Sequence, residues 1–314
     1  MRAAGDSVSR RDFGTMKKFL VLLVLVALMA GTASGAYYDN DGDSWETAYV
    51  IASSEDLMLM RDRVNSGTES EGKYYRLSAD IDLTSAASWQ SIGNTNQNFA
   101  GHFDGQGHTV TLGSGGSLFG NISADNTTAA VRNLNLAGTI TDTSALAHYL
   151  HNGIIENCNF EGQLSREQPY ASQKAGGIAG YAGANSIIRN CRVSGDISAG
   201  LYDKNDTSYA GGIAARLEGG TIEKCRVTIN DSVYAWSLAS GGTDVNKSRA
   251  GGIVGDVSGS TSKITNCVVK GTVRSKEWAG GIVGYMQGGQ LNNCYVLDNS
   301  AVEANYSAGG IAGY

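Results

Sequence analysis

The chain has 314 residues, of which 41% are hydrophobic, and a formal net charge of −6. This hydrophobic content excludes a disordered chain, and the charge provides no basic field, so we expect no nucleic-acid partner. Glycine occurs 43 times and proline once, without a collagen-like triplet period. Such glycines indicate fixed turns or close backbone contacts in a repeated unit.

The first 36 residues are predicted to be a signal peptide. Lys17 and Lys18 precede an apolar run from Phe19 to Met29, and small residues follow. The run is shorter than the roughly 20 residues that a membrane span needs. Met16 is a second candidate start. We therefore expect an exported protein, secreted or at the cell surface, with no membrane span after signal removal.

Residues 37–113 are predicted to form an N-terminal cap and the first coils of the fold. Asp39, Asp41 and Asp43 alternate as in a calcium loop, but the glycine and glutamate spacing of an EF-hand is absent, which favours a solvated loop. A strand at 49–51 precedes an amphipathic helix that begins near Ser53 and carries its apolar residues on one face. One such helix ahead of a repeat array is typical of a cap.

Carboxylates and histidines are the candidates for catalytic residues in this sequence. Asp80, Asp82 and Asp104 could serve glycoside hydrolysis, but alternation with apolar neighbours and an Asp-Gly turn favour structural positions. His148 and His151 could approach one another, although they do not form a His-Glu-x-x-His zinc motif. We therefore predict no catalytic residue, no metal ligand and no cofactor in this chain.

Residues 114–314 consist of one sequence unit that is repeated several times. Successive units begin 28 residues apart from Leu118 to Leu146 and 40 residues apart from Ile213 to Ile253, and the variation lies mostly in the second half of the unit. Each unit has an aliphatic position and, later, a cysteine-like position. The aliphatic positions are Leu118, Leu146, Ile178, Ile213, Ile253, Ile282 and Ile311, and the later positions are Leu134, Cys158, Cys191, Cys225, Cys267 and Cys294.

These units predict an all-β fold, a parallel β-helix of about seven coils with three short strands per coil. Stacked coils of this length bury a core that no single coil could bury alone. Asparagine precedes the cysteine-like position in five of six units, with Lys224 as the exception, which favours a left-handed corner. The cysteines are predicted to form a buried column with the isoleucines, and a disulfide or a metal site remains as an alternative.

The phrase Ala279–Tyr285 followed by Leu291–Val296 resembles the GLUG-type repeat of bacterial cell-surface and secreted proteins. The segments Asp41–Leu83 and Phe103–Val110 resemble the parts that precede such repeats. The resemblance implies a right-handed parallel β-helix and export. The family includes adhesin-like proteins and immunoglobulin-A1-protease-type metallopeptidases, in which the repeats lie outside the catalytic domain.

Three functional hypotheses follow. The first is a non-catalytic adhesion or display scaffold that contacts a host or cell-surface glycan or protein through inserted loops, with Tyr202, Tyr209, Tyr234 and Trp236 as contact residues. The second is a polysaccharide-active enzyme, by analogy with other β-helices. The third is the repeat region of a larger secreted protease, since the chain stops inside a seventh repeat and further domains are expected to be missing.

Overall fold

A computed structural model describes residues 39–69, 71–85, 89–125, 128–168, 172–202, 206–237 and 247–314. The predicted signal peptide lies outside the described residues. Within them the chain forms one helix, α1 (Ser54–Asn65), and thirty strands. In chain order the strands are β1 Tyr49–Ile51, β2 Tyr74–Leu77, β3 Ile81–Asp82, β4 His102–Asp104, β5 Thr109–Leu112, β6 Phe119–Ser123, β7 Ala129–Arg132, β8 Asn135–Ile140, β9 Ala147–His151, β10 Gly153–Glu156, β11 Asn159–Gln168, β12 Gln173–Gly176, β13 Ala179–Ala182, β14 Ile187–Arg189, β15 Arg192–Leu201, β16 Thr207–Gly211, β17 Ala214–Glu218, β18 Thr221–Glu223, β19 Arg226–Ser237, β20 Lys247–Gly251, β21 Val254–Ser258, β22 Lys263–Thr265, β23 Val268–Lys270, β24 Thr272–Ser275, β25 Trp278–Gly280, β26 Val283–Gln287, β27 Gln290–Asn292, β28 Tyr295–Val296, β29 Ala301–Ala304 and β30 Ser307–Gly309.

The strands stack in four parallel sheets, which makes the molecule a parallel β-helix. Sheet 1 has the order β1-β2-β4-β7-β10-β14-β18-β22-β27. Sheet 2 has the order β3-β5-β8-β11-β15-β19-β23-β28, and β24 and β29 continue it beside β19. Sheet 3 is β12-β16-β20-β25-β30, and sheet 4 is β6-β9-β13-β17-β21-β26. Each strand therefore pairs with its equivalent one coil away, as the repeated sequence predicts.

The prediction of three strands per coil is wrong for the later coils, which have four. The repeated glycine phrase Ala279–Tyr285 is not a single strand, because the chain turns a corner within it, between β25 and β26. A Cβ atom on Gly280 would lie 1.8 Å from the Val283 carbonyl oxygen, so only glycine permits so tight a corner. Sheet 1 has nine strands, more than the seven repeats, because β1, β2 and β4 precede the first repeat.

The aliphatic position of each unit stacks in register along the axis. The Ile213 amide donates to the Ile253 carbonyl at 2.9 Å, and the Ile282 amide donates to the Ile311 carbonyl at 2.9 Å. Ile178, Ile213, Ile253 and Ile282 are fully buried. The core of the repeats is thus a set of columns that run from coil to coil.

The helix α1 packs on the first coil, as predicted. Its Leu57, Met60 and Val64 side chains are fully buried, and the Ser53 side chain accepts a hydrogen bond from the Asp56 amide. The first coils enclose aromatic rings, with centroids 4.9 Å apart for Phe99 and Phe119. The helix therefore covers the N-terminal end of the core, where the described chain has no earlier coil to cover it.

Candidate ligand-contact site

The predicted cysteine column is buried in the molecule. Cys158, Cys191, Cys225 and Cys267 are at most 1% exposed, Cys294 is half-buried, and all five thiols are free. The Cys191 thiol lies 3.9 Å from the Ile155 carbonyl oxygen of the preceding coil. Burial raises the pKa of Cys191 well above its usual range. Because the thiolate is the nucleophilic form, these cysteines are suited to packing rather than to chemistry.

The four predicted contact residues do not all lie in loops. Tyr202, just after β15, is 51% exposed. Tyr209 lies in β16, whereas Tyr234 and Trp236 lie in β19 and alternate with buried neighbours. The predicted loop placement is therefore wrong for Tyr209, Tyr234 and Trp236. The end of the first insertion is part of β16, and the start of the second insertion is part of β19. The rest of the insertions, residues 203–205 and 238–246, lies outside the described residues.

Two of the predicted residues come together. The rings of Tyr202 and Trp236 meet edge to face with centroids 5.0 Å apart. The indole lies over Gly200, where a Cβ atom would be 2.4 Å from Trp236 Cζ2. The Lys276 ammonium lies 5.8 Å from the centroid of the same ring. The glycine and the lysine thus hold the indole flat against the outer face of sheet 2.

Beside this pair, β19, β24 and β29 line a cleft of about 570 Å³, which we call the outer-face cleft. Tyr234, Arg274 and Glu303 occupy neighbouring positions in register across its floor. Arg274 Nε donates to Glu303 Oε2 at 3.0 Å. Burial raises the pKa of Tyr234, against the opposing charge of Arg274. The lining residues are Asp231, Ser232, Tyr234, Arg274, Ser275, Lys276, Glu303, Ala304 and Asn305.

A bulge in β19 opens this cleft. Gly195 pairs with Ile229 and Ile197 pairs with Val233, so β19 has two residues more than β15 over the same stretch. The Asp196 carboxylate fixes the bulge, since its Oδ1 accepts from the Asp231 amide at 2.6 Å and from the Ser232 amide at 3.2 Å. Bulges commonly redirect side chains next to binding sites. Sequence reasoning missed the bulge, because no residue type marks it.

Tyr209 lies away from the outer-face cleft, on sheet 3. The Arg249 guanidinium is 5.5 Å from its ring centroid and 4.0 Å from that of Tyr285. Arg249 also forms an ion pair with the buried Asp256. A cation of the chain itself thus packs against the Tyr209 ring, which lies apart from the other three predicted contact residues.

Across the described ranges, no group of three or more His, Cys, Asp or Glu side chains is placed to hold a metal ion. The same ranges contain no helix that is long and apolar enough to cross a membrane.

Comparison with known proteins recognises one segment of the repeats. The chain carries the GLUG motif. The match covers residues 171–198, which run from the lead-in to β12 into β15. This GLUG segment contains Ala175–Ile178 and Ile188–Cys191, the equivalents of Ala279–Ile282 and Leu291–Cys294.

Relatives of this GLUG-bearing chain are distant. A protein of Evansella cellulosilytica, described provisionally as a Gly-rich membrane protein, is 27% identical over 158 residues. The match covers 45% of this chain and only 18% of that relative, so the chain spans a small part of its length.

Two solved structures share the fold. One is described provisionally as an immunoglobulin A1 protease from Bacteroides ovatus, with a TM-score of 0.65 and 22% identity over 85% of this chain and 80% of that chain. The other is described as an IgA1 protease, with a TM-score of 0.59 and 20% identity over 84% of this chain and 20% of that chain. At these identities the likeness shows the fold alone.

Proposed function

We propose that this chain is a non-catalytic, exported scaffold, secreted or held at the cell surface, that binds a glycan through the outer-face cleft. The observation that carries the proposal is the placement of Tyr234 in a cleft of about 570 Å³ beside the Tyr202–Trp236 ring pair. A cleft of this volume lies within the roughly 300–1,000 Å³ range of small-molecule sites.

The chemistry of the lining favours a neutral, hydroxyl-rich ligand. Arg274 and Lys276 supply donors, whereas Asp231 and Glu303 supply acceptors. Sugar hydroxyls both donate and accept hydrogen bonds, and the apolar face of a pyranose ring suits a flat tyrosine or tryptophan. Neither sign of charge dominates, so a strongly charged partner is a poorer fit for this cleft.

A glycan array probed with the folded chain tests the proposal. We expect Tyr234→Ala, whose ring lines the cleft, and Trp236→Ala, whose ring lies beside it, each to lower binding to the recognised glycan by about tenfold, the loss of one good contact. Tyr295→Ala is the matched control, because Tyr295 is 60% exposed but belongs neither to the cleft lining nor to the ring pair, and it should leave binding unchanged. Retention of full binding by both variants would contradict the proposal.

A second candidate is the repeat region of a larger secreted protease. The observation that favours it is the shared fold with two chains described as immunoglobulin A1 proteases, one of which this chain covers over only 20% of its length. The DNA downstream of the Tyr314 codon tests this candidate. A His-Glu-x-x-His domain there would support a protease, and a cell-wall anchor would support display instead.

A further inference from the structure

A second, smaller cavity lies where sheet 3 begins, and we call it the corner cavity. It has a volume of about 190 Å³ and shares no lining residue with the outer-face cleft. β9, β11 and β12 supply most of its walls. Its lining residues are Thr143, His148, Tyr149, Arg166, Ser172, Gln173 and Lys174.

The corner cavity contains a cation without an ion-pair partner. Within the described parts of the chain, the Lys174 ammonium has neither a hydrogen bond nor an ion pair. Burial lowers the pKa of Lys174, the nearby Arg216 lowers it further, and Asp206 opposes both with a smaller effect. The surroundings of this ammonium are therefore positive as well as partly dry. An anion bound here would relieve both costs.

Arg166 adds a second cation whose partners leave donors free. Its Nε donates to Gln173 Oε1 at 3.2 Å, and one terminal nitrogen lies 3.7 Å from Asp142 Oδ1. A guanidinium has five N–H donors, so several remain for a ligand. A planar guanidinium fork matches the geometry of a carboxylate or a sulfate.

Among the described residues two carboxylates lie beside the cavity, and both are hydrogen-bonded. Asp206 Oδ1 accepts from the Ser172 hydroxyl at 3.0 Å. Asp142 Oδ2 lies 2.6 Å from His148 Nε2 and accepts from the Ser117 amide at 3.0 Å, while Oδ1 accepts from the Thr143 amide at 2.7 Å. Burial alone would raise the pKa of Asp142, but the contacts with His148 and the two amides hold it below its usual range. Asp142 thus orients His148, and the charge of Asp206 offsets only part of the cost of the Lys174 ammonium.

We propose that the corner cavity binds the anionic oxygen group, carboxylate or sulfate, of an acidic sugar residue. The cavity is below the roughly 300–1,000 Å³ of drug-sized sites, so it admits a single residue or a chain end. The Tyr149 ring, 46% exposed and 5.7 Å from the Tyr181 ring, forms an open wall for the apolar face of that sugar. This site neither contains nor requires the outer-face cleft.

Calorimetric titration of the folded chain with glucuronic acid, N-acetylglucosamine 6-sulfate and glucose tests the proposal. We expect at least one acid to give saturable heat and glucose to give none. The acid that binds more tightly identifies the carboxylate or the sulfate as the natural group. Absence of saturable heat with both acids, or equal binding of glucose, would overturn the proposal.

Variants separate binding from folding. Lys174→Gln and Arg166→Gln should each weaken acid binding by about tenfold, the value of one charge-assisted contact. Lys174→Gln should not lower the melting temperature, because it removes an ammonium whose charge burial disfavours. Lys270→Gln, at an exposed lysine outside the cavity, is the matched control. Tyr234→Ala should leave acid binding intact even if the outer-face cleft binds nothing. Unchanged acid binding in both cavity variants would overturn the proposal.

Discussion

Glu277 is a buried carboxyl that lies between β24 and β25. It is 1% exposed, and its Oε2 accepts a hydrogen bond from the Ser248 amide at 3.2 Å. Its Oε1 has no hydrogen-bond partner in the described part of the chain. Burial raises the pKa of Glu277 from 4.5 to about 7, against the opposing effects of the Ser248 amide and Arg249. Sequence reasoning did not single it out, because a glutamate in a turn is normally solvated.

This carboxyl predicts a pH dependence of stability. Between about pH 4.5 and 7 the folded chain holds a proton that the unfolded chain releases, so the free energy of unfolding falls as pH rises through that window. The free energy of unfolding falls by an amount on the order of 3 kcal/mol, and the fall is complete above the pKa of Glu277 in the folded chain. In urea unfolding, we expect Glu277→Gln to be more stable than wild type at pH 8 and about equal at pH 4.5.

The exposed Glu161, on β11, supplies the control for this prediction. Glu161→Gln should keep the fall in stability between the two pH values, because the buried carboxyl is still present. A Glu277→Gln variant with the same pH profile as wild type would show that Glu277 is ionised at neutral pH and that the contacts opposing its burial prevail.

The left-handed corners are a residue-scale feature that the sequence predicted correctly. The asparagine before each cysteine-like position has a positive φ, for example 54° at Asn190 and 50° at Asn293. Lys224 also adopts 54°, so the stacking of neighbouring coils imposes the corner even on a residue that disfavours it. Two of these asparagines also contact one another, since Asn157 Nδ2 donates to Asn133 Oδ1 at 3.1 Å.

At the scale of elements, α1 gives a prediction about how the first coil is closed. The Ser53 hydroxyl accepts from the Asp56 amide at 3.2 Å and so satisfies one free donor of the first turn. We expect Ser53→Ala to cost about 1 kcal/mol of stability, as measured by urea unfolding. Leu57→Ala should cost about 2–5 kcal/mol, because it leaves a cavity under the helix.

Ser54→Ala provides the comparison for the cap. Among the described residues, the Ser54 hydroxyl bonds only its neighbour Glu55, at 3.2 Å on an exposed face, so its loss should change stability by a few tenths of a kcal/mol. A cost for Ser54→Ala equal to that for Ser53→Ala would contradict the capping role.

The helix and the glycine corner differ in how well the sequence specified them. The helix was predictable because a cap residue and a 3.6-residue apolar period are local signals. The corner at Gly280–Gly281 was not predictable, because an alternating pattern of residues does not distinguish a continuous strand from two strands joined by a glycine turn. The corner depends on the approach of Val283 and of the next coil, which is a non-local property.

The candidate sites were predictable only in part for the same reason. Tyr234 and Trp236 were named from composition, but Arg274 and Glu303 reach the cleft only because β24 and β29 stack in register on β19. The corner cavity depends likewise on the contact between Asp142 and His148. The sequence separation of two residues does not reveal that they touch across neighbouring coils, unless the same residue type recurs at that position in each unit.

For the whole molecule, one outer row of sheet 1 alternates in charge from coil to coil. Arg132 Nε lies 2.9 Å from Asp104 Oδ2, and Arg189 Nε lies 2.8 Å from Glu156 Oε2. A slip by one coil would place like charges opposite one another, so the row disfavours wrong register more than it adds stability. In stacking order the row is Arg76, Asp104, Arg132, Glu156, Arg189 and Glu223.

The cysteine column makes the stacking of coils measurable. Each coil contacts only its neighbours, so opening should begin at an end of the stack and move inward. The thiol of Cys294, in the last complete turn, is half-buried, whereas the four others are at most 1% exposed. With a chromogenic disulfide reagent under native conditions, we therefore expect one thiol to react first and Cys267 to follow.

The remaining three thiols should react only at the rate of larger opening events, and all five should react at once in denaturant. The hydrogen bond to Cys267 and burial raise the pKa of Cys294, so even the first reaction should be slower than that of a free thiol. Cys294→Ser should remove the fast phase and leave the others unchanged. A single common rate for all five thiols would instead mean that the coils open as one unit, and early reaction of Cys158 would mean that opening starts at the aromatic end beneath α1.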